Sequence, residues 1–453
     1  MPLSFEDFDL TVQNCIDYGT VAVQRAEPNK AEVWFRRGLE LDSSNADLLS
    51  NLGGLLGKDA DNAEARSLLW QSLILNPQLA SAWSNLGIQS HRLNRFEEAR
   101  FLLRMALKYK PDSPDIWMNL STNSQYQGDW KSALAEYEEA DRLRPNHAET
   151  LSSLGMLHVR NGDFDRGLPL YEARHAMNRP FPSEQIPKWT GERLDLDGKK
   201  VLLLGEQGVG DHVMGARYGA ALREAFPKIG QVNLFCQDHV RPLLELWPGF
   251  DNVYSPSDGV IPGHDWQIAV LSMLRFMRLH GHPMIPPVVK PRRLSKRPCA
   301  GFSPYLHVGL AWRGNVSHVN NRYRSFPFHF VEDLVKEFHD AAHFTSLQYP
   351  IEEAERIPDL YCPEGKQGWH DTVKLIEDLD LVIACDTAVG HLAASIGVPV
   401  WMGHAANGDW RWGCEGDKTE WYPCMNIYRM PKLPDWTPVF EEVKTALRGL
   451  ASG

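Results

Sequence analysis

Residues recur every 34 positions along the first third of the chain, and this period restricts the possible folds more than any other feature. Alanine, proline and leucine each keep their own place within the period. The recurring positions are Ala31, Ala65, Ala99 and Ala133; Pro77, Pro111 and Pro145; and Leu52, Leu86, Leu120 and Leu154. Small residues let two helices approach closely, and a proline ends a helix. We therefore expect stacked helical hairpins, each burying apolar surface against the next.

The spacing and the residue types match the tetratricopeptide pattern. Residues 1–178 are therefore predicted to form a tetratricopeptide repeat array with a concave face. A second series with the same period, Asn51, Asn85 and Asn119, precedes three of the recurring leucines. An asparagine on the inner helix of each hairpin is able to hydrogen-bond the backbone of an extended peptide, which predicts a binding face for a protein. The alternative is that Asn-Leu-Gly is common in such repeats whatever they bind.

Composition excludes several classes of protein. The 453 residues are 43% hydrophobic and 23% charged, which is typical of a folded globular protein and not of a disordered or fibrous one. Lys and Arg total 47 against 58 Asp and Glu, and the net charge of −11 argues against general nucleic-acid binding. The seven cysteines are scattered and contain no C-x-x-C pair, so neither a disulfide framework nor a zinc site is expected.

The N-terminus and the longest apolar stretch bear on the location of the protein. MPLSFEDFDL is acidic and has neither the basic region nor the apolar core of a signal peptide. Residues 379–402 are largely apolar, but Asp380, Asp386, His391 and Pro399 interrupt them, so no transmembrane segment is predicted. These patterns predict a cytoplasmic protein.

After residue 178 the period stops and the chain acquires α/β character. The apolar run Lys200–Leu204, a Gly-rich turn and a helix over Val213–Phe226 form the opening unit of a Rossmann-like lobe. Two such lobes imply a cleft between them, with ligands at the carboxyl ends of the strands. The predicted boundaries are a linker at 179–199, a first lobe at 200–290, an interlobe linker at 291–306, a second lobe at 307–436 and a C-terminal helix at 437–453.

The segment CDTAVGHLAASIG (385–397) predicts an anion site. A strand delivers Asp386 and Thr387 to the start of a helix, whose free N–H groups favour a phosphate. Two negative charges repel, so Asp386 is predicted to be the N-cap or a partner for His391 rather than a phosphate ligand. The alternative is an ordinary capped helix of the core.

A polar loop with three arginines follows the strand at 307–312. Arg313, Arg322 and Arg324 are expected close to the predicted helix start, and arginine suits bidentate recognition of phosphate. Arg324, which precedes Ser325, is the preferred contact for a leaving group, whereas Arg322 has a solvated alternative.

The turn GEQGVGDHV (205–213) adds titratable groups to the first lobe. It predicts Glu206, Asp211 and His212 at the lip of the cleft, where a carboxylate or an imidazole is able to take a proton from a hydroxyl group. The alternative for Asp211 is a capping role at the helix start. G-x-S-x-G, G-x-x-x-x-G-K-[ST] and H-E-x-x-H motifs are absent, which excludes serine hydrolase, P-loop and zinc protease chemistry.

Taken in order, these segments resemble bacterial proteins in which tetratricopeptide repeats precede a GT-B glycosyltransferase domain related to the heptosyltransferases. The architecture is similar to that of O-linked N-acetylglucosamine transferases and flagellin glycosyltransferases. The resemblance covers nearly the whole chain and rests on PKWTG (187–191), LLLGEQGVGDHVMGARY (202–218), VGLAWRGN (308–315), NRYRSFP (321–327), TSLQ (345–348), DLDLVIACDTAVGHLAASIGVPVWM (378–402), DWRW (409–412) and WYP (421–423).

The resemblance implies roles for individual residues. Asp211 matches the proposed base, and His212 stands where a polar residue such as Thr is expected, so the base is Asp211 or His212. The D-T-x-x-x-H-L-A motif from Asp386 matches the element that holds the donor phosphates, and Arg324 matches a basic contact to the leaving group. The predicted donor-binding residues are Gly208, Gly210, Arg313, Asn315, Arg324, Ser325, Gln348, Asp386, Thr387, His391 and Trp410, of which Trp410 has packing as an alternative.

The resemblance also implies an activity. We expect an inverting, metal-independent glycosyltransferase that moves a sugar from a nucleotide-sugar substrate to a Ser or Thr hydroxyl of a protein, with no cofactor. The repeats would recruit the protein acceptor through Asn51, Asn85 and Asn119, and flagellin is the acceptor suggested by analogy. One alternative is a saccharide or lipid acceptor. Another is a tetratricopeptide scaffold with degenerate transferase lobes.

Overall fold

A computed structural model describes residues 11–59, 61–177, 182–291, 305–318, 320–365 and 368–451. The chain divides into two compact units, Met1–Thr150 and Leu151–Gly453, which we call the array unit and the α/β unit. The division falls one repeat earlier than the predicted end of the array at residue 178.

The array unit consists of helical hairpins, as the period predicts. In its described part, consecutive helices pair across short turns. The helices are α1 (Val12–Gln24), α2 (Pro28–Leu41), α3 (Ala46–Leu56), α4 (Ala63–Leu75), α5 (Ala80–Arg92), α6 (Phe96–Tyr109), α7 (Pro114–Tyr126) and α8 (Trp130–Leu143).

The periodic residues explain the hairpins. The four alanines and the leucines of the series within this unit are buried, so each repeat contributes the same contacts to its neighbour. Pro77, Pro111 and Pro145 each follow the end of a second helix. The carbonyls of the first two prolines also bind the next repeat, because the indole Nε1 of Trp83 donates to Pro77 O and that of Trp117 to Pro111 O, both at 2.9 Å. The tetratricopeptide prediction is confirmed for this unit.

The α/β unit contains two parallel sheets. The first lobe has the strand order β3-β2-β1-β4 and the second β10-β9-β8-β5-β6-β7, with every described pair parallel. The strands are β1 (Lys200–Leu204), β2 (Gln231–Phe235), β3 (Asn252–Tyr254), β4 (Trp266–Ala269), β5 (Leu306–Ala311), β6 (Ala342–Ser346), β7 (Leu360–Tyr361), β8 (Leu381–Cys385), β9 (Val400–His404) and β10 (Met425–Arg429).

Helices connect and cover these strands. They are α9 (Ala148–Arg160), α10 (Phe164–Tyr171), α11 (Val209–Gly215), α12 (Arg217–Ala225), α13 (Arg241–Leu244), α14 (Met273–Leu279), α15 (Asn321–Arg324), α16 (Phe328–Phe338), α17 (Trp369–Glu377), α18 (Ala388–Ile396) and α19 (Thr437–Ala451). On α19, Val439, Val443 and Leu447 are buried, whereas Leu450 is exposed.

The helix predicted over Val213–Phe226 is in fact two helices, α11 and α12. Gly208 is the N-cap of α11 and donates its N–H to Asp211 Oδ2 at 2.7 Å. This contact explains the early start, since the Asp211 carboxylate satisfies a backbone donor of the first turn.

The segment predicted as a linker at 179–199 packs on the first lobe in its described part. Ile186, Trp189 and Leu196 are buried. Trp189 N donates to Gln267 O at 3.1 Å and Gln267 N to Pro187 O at 2.8 Å, which extends the sheet beside β4. The apolar side chains among the prolines therefore make this segment part of the lobe. Residues 292–304 of the second predicted linker lie outside the described residues.

The last repeat hairpin, α9 and α10, packs with the α/β unit. Val159, Leu168 and Tyr171 belong to the same apolar cluster as β1 and β8. Next to α10, the guanidinium of Arg174 donates to both carboxylate oxygens of Glu206, at 2.8 and 2.9 Å. The hairpin is thus a repeat by sequence and a part of the α/β core by its contacts.

Candidate functional site

The two lobes meet where a strand of each turns into a helix. Gly210, in the first turn of α11, faces the first turn of α18. A methyl group at Gly210 would lie 2.8 Å from His391 Cδ2 and 3.6 Å from Ala388 Cα, so only glycine allows this approach. We call the region formed by residues 206–212, 386–391 and 409–412 the interlobe junction.

The start of α18 differs from the prediction in one respect. Thr387, not Asp386, is the N-cap, with extended backbone at φ −145° and ψ 168°. Its hydroxyl makes no capping hydrogen bond, so the first N–H groups of α18 have no side-chain cap. Asp386 lies one residue earlier, and its Oδ2 accepts a hydrogen bond from Trp412 Nε1 at 3.0 Å.

His391 is not the partner of Asp386. Its Nδ1 shares a hydrogen bond of 3.0 Å with the hydroxyl of Tyr422. Burial lowers the pKa of His391 to about 3, so the ring is neutral at physiological pH. For Asp386 the direction is opposite: burial, with the nearby charge of Asp409, raises its pKa to about 6.

Arg324 reaches the start of α18, as predicted. Its Nη1 donates to Asp386 O at 3.2 Å, while its buried Nε has no hydrogen-bond partner. The guanidinium lies against Gly314, where a Cβ would come within 2.5 Å of Nη2. Ser325 is used within the loop, where its hydroxyl donates to Asn321 Oδ1 at 3.1 Å.

The guanidinium of Arg313 pairs with two carboxylates that the sequence pattern did not single out. Its Nη1 donates to Glu352 Oε1 and Glu355 Oε1, both at 2.8 Å, and these carboxylates balance its charge. Asn315 is exposed and its Oδ1 accepts the N–H of Ser317 at 2.9 Å. Arg322 lies over the ring of Tyr323, with 4.5 Å from its guanidinium carbon to the ring centroid.

A pocket of about 120 Å³ opens at the carboxyl end of β6. Gln348 borders it, and its Oε1 accepts the N–H of Arg313 at 2.9 Å. The pocket is also lined by Tyr349, Ile351, Cys362, Thr372 and Leu375. Gln348 was the only one of these that the sequence pattern singled out.

Asp211 lies in the interlobe junction, and both of its carboxylate oxygens accept hydrogen bonds. Oδ2 accepts Gly208 N, and Oδ1 accepts a hydrogen bond from Nη2 of Arg411 in the other lobe. Burial raises the pKa of the Asp211 carboxyl, against the opposing charge of Arg411. The carboxylate is 14% exposed, so it retains access to solvent.

His212 is buried within the first lobe's turn and helix start. Its Nδ1 is 2.8 Å from Gly208 O, so in the neutral ring this nitrogen carries the proton. Its Nε2 is buried without a partner, against Gly205. Burial lowers the pKa of His212, which keeps the ring neutral.

Sequence reasoning missed Arg411. The side chain is only 5% exposed and joins carboxylates from both lobes. Nη1 donates to Asp409 Oδ2 at 2.8 Å, Nη2 donates to Asp211, and the guanidinium carbon lies 4.7 Å from the Trp410 ring centroid. The only signal was its position inside DWRW, where the two tryptophans drew attention instead.

Trp410 packs inside the α/β unit. It is buried, with its ring centroid 5.7 Å from Tyr171 of the last repeat hairpin and 6.4 Å from Trp421. The structure therefore favours the packing alternative over a direct contact with a donor.

The three predicted asparagines occupy α3, α5 and α7, the first helices of successive hairpins. All three are half-buried. Asn85 Nδ2 donates to Ser50 O of the preceding repeat at 3.3 Å, so this side chain also joins neighbouring repeats.

Neither a metal centre nor a membrane-spanning helix is found among the described residues. In that part of the chain, no group of three or more His, Cys, Asp or Glu side chains is arranged to hold a metal ion. Within the same residues, no helix is both long enough and apolar enough to cross a bilayer.

Comparison with known proteins gives one curated relative. No family model matches the chain. The chain is 26% identical over 324 residues to Protein FlbA of Caulobacter vibrioides, an alignment that covers 64% of this chain and 53% of FlbA. The chain therefore spans about half the length of this relative.

Solved structures resemble the repeats. PilF of Pseudomonas aeruginosa is 19% identical with a TM-score of 0.36, covering 48% of this chain and 92% of PilF. TTC0263, a tetratricopeptide protein of Thermus thermophilus, is 18% identical with a TM-score of 0.34, covering 37% of this chain and 92% of its own. MamA is 19% identical with a TM-score of 0.30, covering 34% and 91%. Because these TM-scores are low, the repeat fold of the array is established by its own helices and not by these neighbours.

Proposed function

We propose that the α/β unit is a glycosyltransferase of the GT-B type, which binds a nucleotide sugar at the interlobe junction and transfers the sugar to a protein hydroxyl. One observation carries the proposal: the guanidinium of Arg324 and the uncapped start of α18 lie together in the second lobe, across from the carboxylate of Asp211 in the first. A cationic anion site facing a carboxylate suits a reaction in which phosphate leaves and a hydroxyl attacks.

The donor phosphates would bind at Thr387. The uncapped N–H groups of α18 and the positive end of the helix favour an anion there, and Arg324 has Nε available for it. The pocket beside Gln348 would take the nucleoside. β6 is two strands from β8, so the pocket and the helix start are about 10 Å apart. A nucleoside diphosphate spans such a distance.

The proposed chemistry uses the chain's own groups. Asp211 takes the proton of the acceptor hydroxyl, whose oxygen bonds to the anomeric carbon of the sugar. The bond from that carbon to the phosphate oxygen breaks, and its electron pair leaves with the nucleotide. Arg324 and the start of α18 stabilise the resulting charge, and such a contact contributes roughly 2.7–4 kcal/mol to lowering a barrier. The closed surroundings of His212 Nε2 support Asp211 over His212 as the base.

The array unit would recruit the acceptor protein. The first helices of successive hairpins carry half-buried asparagines at the same position of the repeat, which supports binding of an extended peptide. Flagellin remains the acceptor suggested by analogy. If a protein acceptor is correct, mass spectrometry of an acceptor co-expressed with the full chain detects the added sugar. Transfer of the sugar to a saccharide or lipid instead would be consistent with transferase activity but would contradict a protein acceptor.

A thermal unfolding screen tests the donor site. We expect one nucleoside diphosphate or nucleotide sugar among UDP, GDP, ADP and CMP forms to raise the unfolding temperature, because it binds only the folded chain. Arg324→Met should abolish most of the shift. Arg322→Met removes the same charge two residues away and should leave the shift in unfolding temperature unchanged. A chain that responds to none of these ligands would be a scaffold with degenerate lobes rather than a transferase.

A further inference from the structure

We propose that Arg411 is a donor-binding residue which exchanges Asp211 for the phosphate of the donor, so that occupation of the donor site frees the base. The proposal rests on the proposed function and adds a residue and an order of events to it. The guanidinium of Arg411 holds the carboxylate of Asp211 across the two lobes.

The contacts of Arg411 are divided between two carboxylates. Asp409 belongs to the same short segment and accepts both the backbone N–H and Nη1 of Arg411, at 2.9 and 2.8 Å. Asp211 belongs to the other lobe and accepts Nη2. The Asp211 contact can therefore be released while Asp409 still balances the buried guanidinium.

Arg411 also lies close to the start of α18. Trp412, the next residue, donates to the carboxylate of Asp386, which directly precedes the N-cap of that helix. On the opposite side, Gly210, the neighbour of Asp211, packs against Ala388 in the first turn. Both neighbours of the Arg411–Asp211 contact thus touch the place where the donor phosphate is proposed to bind.

The side chain of Arg411 has an unused hydrogen-bond donor for a phosphate. Nε of Arg411 is buried and has no hydrogen-bond partner. The ring of Trp410 lies under the guanidinium at 4.7 Å and supports it without using any N–H group. Arginine binds phosphate through two parallel N–H groups, so a turn that aims Nε and Nη2 at the phosphate gives up Asp211 and keeps Asp409 on Nη1.

The exchange links donor binding to the reactivity of Asp211. While Arg411 donates to Oδ1, that oxygen is occupied, and the guanidinium opposes the rise in the pKa of Asp211 that burial causes. After the exchange, Oδ1 is available to the acceptor hydroxyl. The base is then released only when the phosphate of a donor is bound.

A double-mutant cycle on nucleotide affinity tests this inference. The probes are UDP, GDP, ADP, CMP and inorganic pyrophosphate, titrated calorimetrically into the full chain at one ionic strength. Asp211→Asn removes the competitor for Arg411, so we expect binding to tighten roughly tenfold, the equivalent of one lost charge-assisted hydrogen bond. Arg411→Lys keeps the charge but loses the two parallel N–H groups of the guanidinium, and should weaken binding by a similar factor. In the Arg411→Lys background, Asp211→Asn should no longer tighten binding.

Glu352→Gln is the matched control. It also removes one carboxylate from a guanidinium that keeps a second, since Arg313 retains Glu355. It should leave nucleotide affinity unchanged. Thermal unfolding of each variant without ligand verifies that it is folded, and Arg411→Lys retains a cation between the two aspartates for this reason.

The contrary outcomes are distinct. Equal affinity of wild type and Asp211→Asn would overturn the exchange while the donor site stands. Equal tightening in both backgrounds would also overturn it, since this indicates simple charge removal. Binding of no probe by either wild type or Asp211→Asn would overturn the exchange and the proposed function together.

Discussion

The two units differ in how far apart along the chain their stabilising contacts lie. In the array, side-chain contacts between repeats join residues about one period apart, such as Arg36 with Glu64 and Asn85 with Ser50. In the α/β unit, Arg411 contacts Asp211 across 200 residues and Arg160 contacts Gly408 O across 248. The stability of the array is approximately a sum of similar contributions from neighbouring repeats. The proposed site, by contrast, forms only when segments distant in sequence pack together.

Charged pairs show the same difference in burial. The side chains of Arg36 and Glu64 in the array are 44% and 50% exposed. Those of Arg174 and Glu206 in the α/β unit are 3% and 6% exposed. Solvent screens the charges of the first pair, whereas those of the second are buried and must be compensated by groups of the protein itself. Charge removal should therefore be tolerated in one unit and not in the other.

The largest expected effect is on the buried pair. Glu206→Gln leaves the buried guanidinium of Arg174 without its main carboxylate, so the α/β unit should lose roughly 3–5 kcal/mol of unfolding free energy. Urea unfolding, with hydrogen exchange to locate the affected peptides, measures this loss.

Glu64→Gln in the array is the counterpart. It removes an exposed carboxylate from Arg36, which keeps Glu32, and should change stability by at most about 1 kcal/mol. Comparable losses in the two variants would contradict the contrast between the units.

A smaller effect is expected at the interlobe junction. Gly210→Ala places a methyl group 2.8 Å from His391 Cδ2, and the overpacking should destabilise the α/β unit by about 1–3 kcal/mol. It should also weaken nucleotide binding, because α11 and α18 are pushed apart. Gly263→Ala is the control, since a methyl group there meets no atom within 4 Å. Tolerance of alanine at both positions would argue against close packing of the two turns.

The effect that is smallest at neutral pH is that of His391, because it appears only on acidification. Folded His391 stays neutral down to its pKa of about 3, whereas the unfolded chain protonates this ring near pH 6.5. Between these values the unfolded state binds more protons, so stability falls as pH falls. His391→Gln removes this contribution, and urea unfolding from pH 7.5 to 4 should show a shallower decline than wild type. Parallel declines would show that His391 is not held neutral in the folded chain.

The sequence predicted the features of the site that lie within one segment, together with one contact between two segments. The strand before Asp386, the helix after Thr387 and the arrival of Arg324 at that helix start are confirmed by the structure. The N-cap was misassigned by one residue, since both Asp and Thr are good caps and only the backbone distinguishes them. The pairing of Arg313 with Glu352 and Glu355 was not predicted, because these carboxylates lie about 40 residues away.

By itself, the sequence determined the repeat array, because its 34-residue period specifies each helix and its neighbour through nearby residues. It also determined the alternation of strands and helices beyond residue 200. Only the tertiary structure decided that the last hairpin joins the α/β core and that Arg411 holds Asp211. Such contacts depend on burial and on which distant charges meet, and no local pattern carries that information.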